Sequence, residues 1–270
     1  MDIKNLKEIS NKLKFEIIKT AFDKQKGSLG GTLSCLDILI ALYFKPILNV
    51  SSDEANDINR DRFILSKGHA CVALYLILKK LNYIDDETLL SYGDNGGLGA
   101  QLDYYIPGVD WNTGSLGHAL GVIAGMALSA RMNSQDYHSY TILGDAEMSE
   151  GSIWEALTFI GDNKLSNLTC IIDRNRLSVT EELEDVGLFR DFNRIMSSLG
   201  WEPIEIDGHN YDEIITSLQK SRISKKPTII LANTIKGKGI SFMENNIKWH
   251  GAIPSKEEVE IARVELNQGE

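Results

Sequence analysis

Hydrophobic and polar positions along the chain follow two alternating patterns. Short apolar, β-branched runs read as strands at 61–66, 140–145, 168–173, 202–207 and 227–234. Apolar residues at helical spacing predict helices over 5–25, 35–44, 150–164, 187–199 and 211–222, and another that begins near His69. Strands that are apolar throughout and alternate with helices are typical of a parallel sheet covered on both faces. The pattern therefore predicts an α/β fold, doubly wound, with a helical N-terminal extension.

Two segments depart from this regularity. The segment 114–132 reads as a helix in which Gly117, Gly121 and Gly125 fall four residues apart, on one face. Each glycine costs a helix interior about 1 kcal/mol, so the face is expected to pack closely on a sheet or on a partner subunit. The stretch 91–113 has no clear period, and a loop of that length is usually functional.

Composition and charge exclude several classes of partner. The 270 residues are 43% hydrophobic and 24% charged, which is ordinary for a globular protein. With 28 basic and 38 acidic residues the net charge is −10, so nucleic acid and anionic membrane are not expected partners. Cys35, Cys71 and Cys170 lie in apolar runs without a Cys-x-x-Cys pair, which favours free core thiols. No signal peptide or membrane span is apparent, so we expect a cytoplasmic protein.

Polar residues at the ends of two predicted strands suggest a metal site. Asp145 ends the second strand, and Asn175 follows the third. Ligands of parallel sheets bind beyond the carboxyl ends of the strands. If these strands are neighbours, Asp145, Asn175 and the carbonyl of Leu177 give three of the six oxygens that Mg²⁺ prefers, and a diphosphate and water give the rest. Amides from Ala146 onward, near a helix start, would hold phosphate. Alternatively, Asp145 is a turn or N-cap residue and nothing more.

Several stretches resemble one family. The sequence from Gly144 to Asn175 is similar to the thiamin diphosphate motif of the transketolase family, which runs Gly-Asp-Gly, about thirty residues and then Asn. Further similar stretches are "GGTLSCLDIL", "DRFILSKGHA", "PGVDWNTGSLGHALGVIAG" and "TIKGKGISFMENNIKWHG". On these motifs the chain is identified as a member of the transketolase family. The resemblance implies one thiamin diphosphate-binding domain over 1–270, with thiamin diphosphate as the cofactor and Mg²⁺ (or Ca²⁺ or Mn²⁺) held by Asp145, Asn175 and Leu177.

The resemblance also implies roles on the cofactor side. His69 and His250 correspond to histidines that contact the diphosphate and the substrate, and they are the expected catalytic residues. Without the motif, His69 would read as a helix cap or core residue. Gly114 and Leu116 are expected to lie against the cofactor, with Leu116 as an apolar wall that excludes water.

Gly144 and Ala146 are expected beside the diphosphate. The family has glycine where Ala146 stands. Alanine serves there if only its amide is used, and is strained if the position needs a positive φ. We expect the first case.

Two departures from the family pattern concern the substrate side. Ser28 and Gln101 stand where the family has histidines that line the substrate channel. Serine and glutamine form hydrogen bonds but do not titrate near neutral pH, as histidine does. The substrate, or even the reaction, is therefore expected to differ from the pentose-phosphate pair of ordinary transketolases.

Other polar residues have two interpretations each. Glu150 and Glu155 match acidic residues of the family's dimer interface, but they also read as exposed acids in a first helical turn. His118 is either a polar contact near the cofactor or a helix residue that faces solvent. His138 and His209 look structural, because the first adjoins a strand start and the second a turn.

The resemblance implies a partner chain. No region here matches the family's pyrimidine-binding and C-terminal domains, so the chain resembles the N-terminal subunit of a split transketolase. The partner would carry those domains and the activating glutamate, in a heterotetramer with two copies of each chain. The expected activity is ketol transfer, or related carbanion chemistry, on a sugar or phosphosugar, and only with the partner.

Four alternatives to ketol transfer remain open from the sequence. They are a first-component subunit of a two-chain 2-oxoacid dehydrogenase, an enzyme of the same cofactor that acts on a modified or nucleotide-linked sugar, a subunit that serves as a non-catalytic scaffold and, with least support, a metal-dependent phosphatase.

Overall fold

The computed structural model describes residues 1–51, 57–178, 183 and 189–267. In this part of the chain, five parallel strands form one sheet in the order β1-β2-β3-β5-β4. The strands are β1 (Arg62–Leu65), β2 (Ser139–Gly144), β3 (Leu168–Arg174), β4 (Glu202–Asp207) and β5 (Thr228–Asn233). Each lies where an apolar run predicted it, and the prediction of a parallel sheet is confirmed.

Nine α-helices occur in the described residues. They are α1 (Ile3–Lys24), α2 (Leu29–Phe44), α3 (Cys71–Lys80), α4 (Asp86–Leu90), α5 (Ala119–Met132), α6 (Gly151–Asp162), α7 (Phe192–Ser198), α8 (Tyr211–Arg222) and α9 (Lys256–Glu265). Short 3₁₀ helices span Gly68–Ala70, Ala146–Ser149 and Ile247–His250. The predicted helices are present with shifted ends, whereas α4 and α9 were not predicted. Residues 187 and 188 of one predicted helix lie outside the described residues.

Helices cover both faces of the sheet. One apolar cluster joins α1, α2, α3 and α8 to strand residues such as Ile171 and Ile230. The other joins α5, α6 and α7 to Ile172, Ile229 and Leu231. Neighbouring residues of a strand thus belong to opposite clusters, because successive side chains point to opposite faces of a sheet. This arrangement confirms the doubly wound α/β prediction.

The glycine-containing helix corrects one expectation. Gly117 has a φ of 88° and lies before α5, which begins at Ala119. A Cβ placed on Gly121 or on Gly125 would meet no atom within 4 Å. The prediction that this glycine face packs closely on the sheet is therefore wrong. The helix α5 contacts the sheet with its alanine and isoleucine face instead. Contact with a partner subunit stays a prediction.

Cys35, Cys71 and Cys170 are free and buried, as predicted. Within the described ranges, no helix combines the length and the apolar character that crossing a membrane requires.

Candidate active site

The carboxyl ends of two central strands meet at one cleft. Strands β2 and β3 are hydrogen-bonded neighbours, with Gly144 opposite Asp173 in register. Asp145 and Asn175 therefore emerge side by side, as the sequence predicted for adjacent strands. The cleft at this edge is lined by Gly31, Lys67, His69, Leu116, Gly144, Asp145, Ala146, Glu147, Asn175, Leu177, Ser178, Lys236 and His250.

Asp145 is a buried carboxylate that lines the cleft. Its Oδ1 accepts a hydrogen bond from the amide of Ala146 at 2.8 Å, and its Oδ2 accepts one from the amide of Arg176 at 2.6 Å. Each oxygen keeps a further lone pair. Burial and the nearby charge of Asp173 raise the pKa of Asp145 to about 6, against the opposing effect of Lys67. The protein alone thus leaves this charge under-compensated, and a divalent cation would compensate it.

Asn175 and Leu177 complete a set of oxygen donors. The side-chain amide of Asn175 donates toward Ser34 Oγ and Asp173 Oδ2, both at 3.4 Å, and its Oδ1 accepts from the amide of Leu177 at 3.2 Å. Carboxylate, amide and carbonyl oxygens are ligands that Mg²⁺ prefers. No cluster of three His, Cys, Asp or Glu side chains that suits a metal exists among the described residues. The binding of a metal ion by Asp145, Asn175 and Leu177 stays a prediction.

Ala146 adopts a conformation that alanine tolerates. It begins the 3₁₀ helix Ala146–Ser149 and is not among the residues with positive φ. Its amide points at Asp145 Oδ1 at the mouth of the cleft. Alanine is therefore unstrained at this position, and its expected place beside the diphosphate stays a prediction.

A buried ion pair between Lys67 and Asp173 lies beneath the cleft and was not predicted. The Nζ of Lys67 contacts Asp173 Oδ2 and also donates to the carbonyl of Gly31 at 2.7 Å. Asp173 accepts further hydrogen bonds from Ser34 at 2.5 Å and from Thr234. Burial opposes ionisation of both partners, but their mutual attraction raises the pKa of Lys67 and lowers that of Asp173. Lys67 precedes His69 by two residues, so the motif around His69 was the available signal.

Glu147 ties three segments of the cleft together and was also missed. Its Oε1 accepts from the hydroxyl of Ser66 and, at 2.8 Å, from the amide of Gly117. Its Oε2 accepts from the amide of Gly144 at 3.2 Å. The side chain is 1% exposed, and burial raises its pKa. Its place among the acids that follow the second strand was the only sequence signal.

His69 and His250 face each other across the cleft. Their ring centroids are 5.4 Å apart. Burial lowers the pKa of both rings, that of His69 to about 3, and the ammonium groups of Lys67 and Lys236 act in the same direction. Both histidines are therefore neutral near pH 7, and each offers one hydrogen-bond donor and one acceptor.

Lys236 supplies a second buried ammonium group, which the sequence analysis did not single out. Its Nζ donates to the carbonyls of Leu177 and Ser178, at 3.2 and 2.7 Å. Two ammonium groups thus face the three carboxylates of Asp145, Glu147 and Asp173 around the cleft. Such a site has positive groups for phosphate oxygens and negative ones for a metal ion.

The predicted wall residues lie at or beside the cleft. Leu116 lines it. Gly114 has a φ of 135°, and a Cβ there would meet the side chain of Gln101 at 3.0 Å. The Oε1 of Gln101 also lies 2.3 Å from where a Cβ of Gly68 would be, so Gln101 stands next to the segment that carries His69.

Ser28 lies just before α2 and outside the lining residues of the cleft. It is 8% exposed, and within the described residues its hydroxyl has no hydrogen-bond partner. The nearby Gly31 does reach the cleft, because a Cβ there would lie 3.1 Å from Nε2 of His69.

The remaining candidates lie away from the cleft. Glu150 and Glu155 are exposed, and the Glu150 side chain makes no capping bond at the start of α6. Glu155 and the exposed His118 line an outer groove, so His118 is a helix-end residue that faces solvent. His138 is structural, with Nε2 2.8 Å from Thr169 Oγ1. The interface role of the two glutamates stays a prediction.

Known proteins match this chain almost throughout. The family model "Transketolase, thiamine diphosphate binding domain" matches residues 6–269. The chain is 37% identical to one of the subunits of apulose-4-phosphate transketolase from Phocaeicola vulgatus, over 99% of this chain and 96% of that protein. It is 36% identical to the SqwG subunit of 6-deoxy-6-sulfo-D-fructose transketolase from a Clostridium species, over 90% of this chain and 89% of that one.

Longer transketolases match over part of their length. The human transketolase is 34% identical over 91% of this chain, which corresponds to 39% of that protein. The crystal structure of transketolase from Campylobacter jejuni superposes with a TM-score of 0.92 at 27% identity, over 99% of this chain and 43% of that one. The chain therefore belongs to the transketolase family, as a thiamin diphosphate-binding domain. Its relatives of similar length are named as single subunits, which confirms the resemblance to one subunit of a split transketolase.

Proposed function

We propose that this chain is the diphosphate-binding subunit of a split transketolase that transfers a ketol unit between sugars or phosphosugars. One observation carries the proposal: the strand ends place Asp145, Asn175 and the Leu177 carbonyl around one cleft that also holds two lysines and two neutral histidines. Carboxylate, amide and carbonyl oxygens suit a divalent ion, and buried ammonium groups suit the diphosphate that shares it.

Each residue of the cleft has a definite task in this proposal. Asp145, Asn175 and Leu177 hold Mg²⁺ or a similar hard cation, with Gly144, Ala146 and the ammonium of Lys236 beside the diphosphate. Leu116 and Gly114 form the wall against the thiazolium ring and exclude water. When bound, thiamin diphosphate supplies a nucleophilic carbon and an electron sink for breaking the bond between a carbonyl carbon and its neighbour.

His69 and His250 contact both the diphosphate and the substrate in this proposal. Both are held neutral by burial and by the flanking lysines. A neutral imidazole can donate a hydrogen bond to one oxygen of the substrate or diphosphate and accept one from another. We assign the pair to binding and to proton transfer at the reacting oxygen atoms.

A partner chain completes the site in this proposal. The relatives of matching length are named as single subunits, whereas the matched region of the human transketolase makes up only 39% of its length. We assign the pyrimidine-binding and C-terminal domains to a second chain, in a complex of two copies of each chain. The exposed Glu150 and Glu155 belong to the contact between subunits.

The substrate is proposed to be a specialised sugar and not the pentose-phosphate pair. Ser28 and Gln101 replace the two imidazoles expected in the channel, and neither side chain titrates near pH 7. The relatives named above act, by name, on apulose 4-phosphate and on a sulfonated fructose. Their similarity favours ketol transfer over the 2-oxoacid dehydrogenase alternative. A cytoplasmic location fits the three free, buried cysteines and is part of the proposal.

The decisive experiment combines the chain with its partner. The chain and a co-purified or genetically adjacent pyrimidine-domain chain are assayed with thiamin diphosphate and Mg²⁺ against a panel of ketoses, ketose phosphates and pyruvate. We expect ketol transfer by the pair, and none by this chain alone. Decarboxylation of pyruvate would instead support a dehydrogenase component, and cofactor binding without turnover of any donor would support a scaffold.

A further inference from the structure

His209 lies outside the cleft but contacts the loop that carries Lys236. Its Nε2 is 2.9 Å from the amide nitrogen of Ile235, and its Nδ1 is 2.9 Å from Asp37 Oδ2. An amide N–H always donates, so Nε2 of His209 carries no proton and accepts. The proton is then on Nδ1, which donates to Asp37. The two hydrogen bonds select one tautomer of the ring.

Asp37 is held as an anion on the buried face of α2. It is 4% exposed, and its Oδ1 accepts from the hydroxyls of Ser10 at 2.7 Å and Tyr211 at 3.0 Å. The ammonium of Lys14 is 3.9 Å from the same oxygen. Burial opposes ionisation, but the hydrogen bond from His209 and the charge of Lys14 outweigh it and lower the pKa of Asp37 to about 2. This carboxylate therefore fixes the direction of the imidazole.

Several hydrogen bonds position the loop after β5. The carbonyl of Lys236 accepts from the amide of Asn245 at 2.9 Å, and the amide of Gly237 donates to the carbonyl of Gly30 at 2.9 Å. The stem of Lys236 packs on Gly30, where a Cβ would lie 2.9 Å from Lys236 Cγ. The hydrogen bond from Ile235 to His209 anchors the residue directly before Lys236.

We propose that His209, oriented by Asp37, is a positioning residue: it holds the amide of Ile235 and so keeps the ammonium of Lys236 in the cofactor cleft. The inference rests on the proposed function, in which the ammonium of Lys236 lies beside the diphosphate. Around metal sites, outer hydrogen bonds of this kind fix the groups that touch the ligand, and their removal typically costs about 10- to 100-fold in metal affinity or activity. We expect an effect of similar size here.

Two substitutions of His209 separate its two hydrogen bonds. His209→Asn places an amide near the Nδ1 position, where it can still donate to Asp37 but cannot reach Ile235. His209→Gln reaches the Nε2 position, where its carbonyl can accept from Ile235. If the acceptor is what matters, the glutamine variant behaves like the unmodified chain and the asparagine variant does not.

The first readout needs no cofactor. Lys236 is 2% exposed, so an amine-acylating reagent should modify it slowly in the full chain, and mass spectrometry measures the rate. Loss of one backbone hydrogen bond corresponds to about a tenfold change in an equilibrium, so His209→Asn should speed acylation of Lys236 about tenfold. His209→Gln should leave the rate within about twofold of the original. The exposed Lys248 is the internal control and should react equally in all variants.

The second readout uses the complex with the partner chain. Titration with thiamin diphosphate at saturating Mg²⁺ should show affinity about 10- to 100-fold weaker for His209→Asn, and restored in His209→Gln. The kcat at saturating cofactor should stay within about twofold, because His209 does not touch the reacting atoms. A merely structural role would lower the melting temperature of both variants without this split.

The positioning role would be overturned if His209→Asn left the acylation rate of Lys236 unchanged. It would also be overturned if the two variants showed the same acylation rate. If His209→Asn does not fold, Asp37→Asn should speed acylation of Lys236 severalfold, and an unchanged rate there contradicts the proposal. Absence of thiamin diphosphate binding by the unmodified complex would overturn the proposed function. Even then, the acylation rates of the cofactor-free chain would show whether His209 holds Lys236 in place.

Discussion

The ammonium of Lys67 is paired with the carboxylate of Asp173 at the floor of the candidate active site, and both side chains are 3% exposed or less. The pair also connects chain segments that are far apart in sequence, because Ser34 and Thr234 donate to the same carboxylate. Removing one member would leave the other charge buried and uncompensated. The stability of the fold and the geometry of the site therefore both depend on Lys67 and Asp173.

Substitution of Lys67 tests that dependence. Lys67→Met should lower the free energy of unfolding by about 3–5 kcal/mol, because it leaves Asp173 without its partner. Chemical denaturation measures the change. The matched control is Lys19→Met, which breaks the exposed pair of Lys19 and Asp23 and should cost less than about 1 kcal/mol. Equal effects of the two substitutions would contradict a special role of the buried pair.

Asp145→Asn should separate folding from cofactor binding. A carboxyl pKa raised from 3.8 to about 6 opposes folding by on the order of 3 kcal/mol at neutral pH, because burial disfavours the charge. The neutral amide removes that penalty, but its NH₂ group would face one of the two backbone amides that donate to Asp145, which costs about 1–3 kcal/mol. The two effects nearly offset, so the metal-free variant should melt within a few degrees of the original chain. Calorimetry should show that Mg²⁺-dependent binding of thiamin diphosphate is weakened at least about 100-fold. Asp162→Asn, on the surface, is the control.

His138 should make folding stability depend on pH. Burial lowers the pKa of this ring from 6.5 to about 3, so the unfolded chain binds a proton at higher pH than the folded chain does. The stability from the neutral ring is complete above about pH 6.5 and is lost as the pH falls toward 3. The slope is at most about 1.4 kcal/mol per pH unit from this residue.

The variant His138→Gln should flatten this dependence between pH 6.5 and 4 while keeping a hydrogen bond to Thr169. Denaturant titrations at several pH values measure it. His118→Gln, on the surface, controls for the loss of a histidine. An unchanged slope in His138→Gln would show that this ring is not the source of the dependence.

Ala146→Gly should have little effect on cofactor binding. Ala146 does not adopt positive φ, so the glycine that the family prefers relieves no strain here. We expect thiamin diphosphate affinity within about twofold and a loss of up to about 1 kcal/mol of stability from added backbone freedom. Calorimetry and thermal unfolding measure the two effects. A strong gain in affinity would mean that the site uses a backbone conformation that alanine resists.

Glu147→Gln should loosen the cleft while leaving every proposed metal-binding and cofactor-binding residue in place. Three donors, from Ser66, Gly117 and Gly144, converge on the Glu147 carboxylate, whereas the glutamine amide would point a donor at one of them. The cost should be about 1–3 kcal/mol. Amide exchange near Gly117 should become faster, and unchanged exchange there would show that Glu147 does not hold this segment.

Much of the fold and part of the site could be predicted from sequence because they depend on local chemistry. The strands β2 and β3 are apolar throughout, which indicates a parallel sheet buried on both faces. In such a sheet the polar residues that follow them, Asp145 and Asn175, lie at the same edge. The period of hydrophobic residues does not distinguish a packed face of small residues from an open one, so the packing of Gly121 and Gly125 was predicted wrongly.

What only the tertiary structure decided are contacts between distant segments. Lys67 meets Asp173, Glu147 meets Ser66 and Gly117, and His209 joins Asp37 to Ile235 across long stretches of chain. The sequence by itself determined which strands form and which family motif their ends carry, because side-chain period and residue type are local properties. Which charged groups become partners depends on the three-dimensional path of the chain, since burial makes an ionised group stable only next to a compensating one.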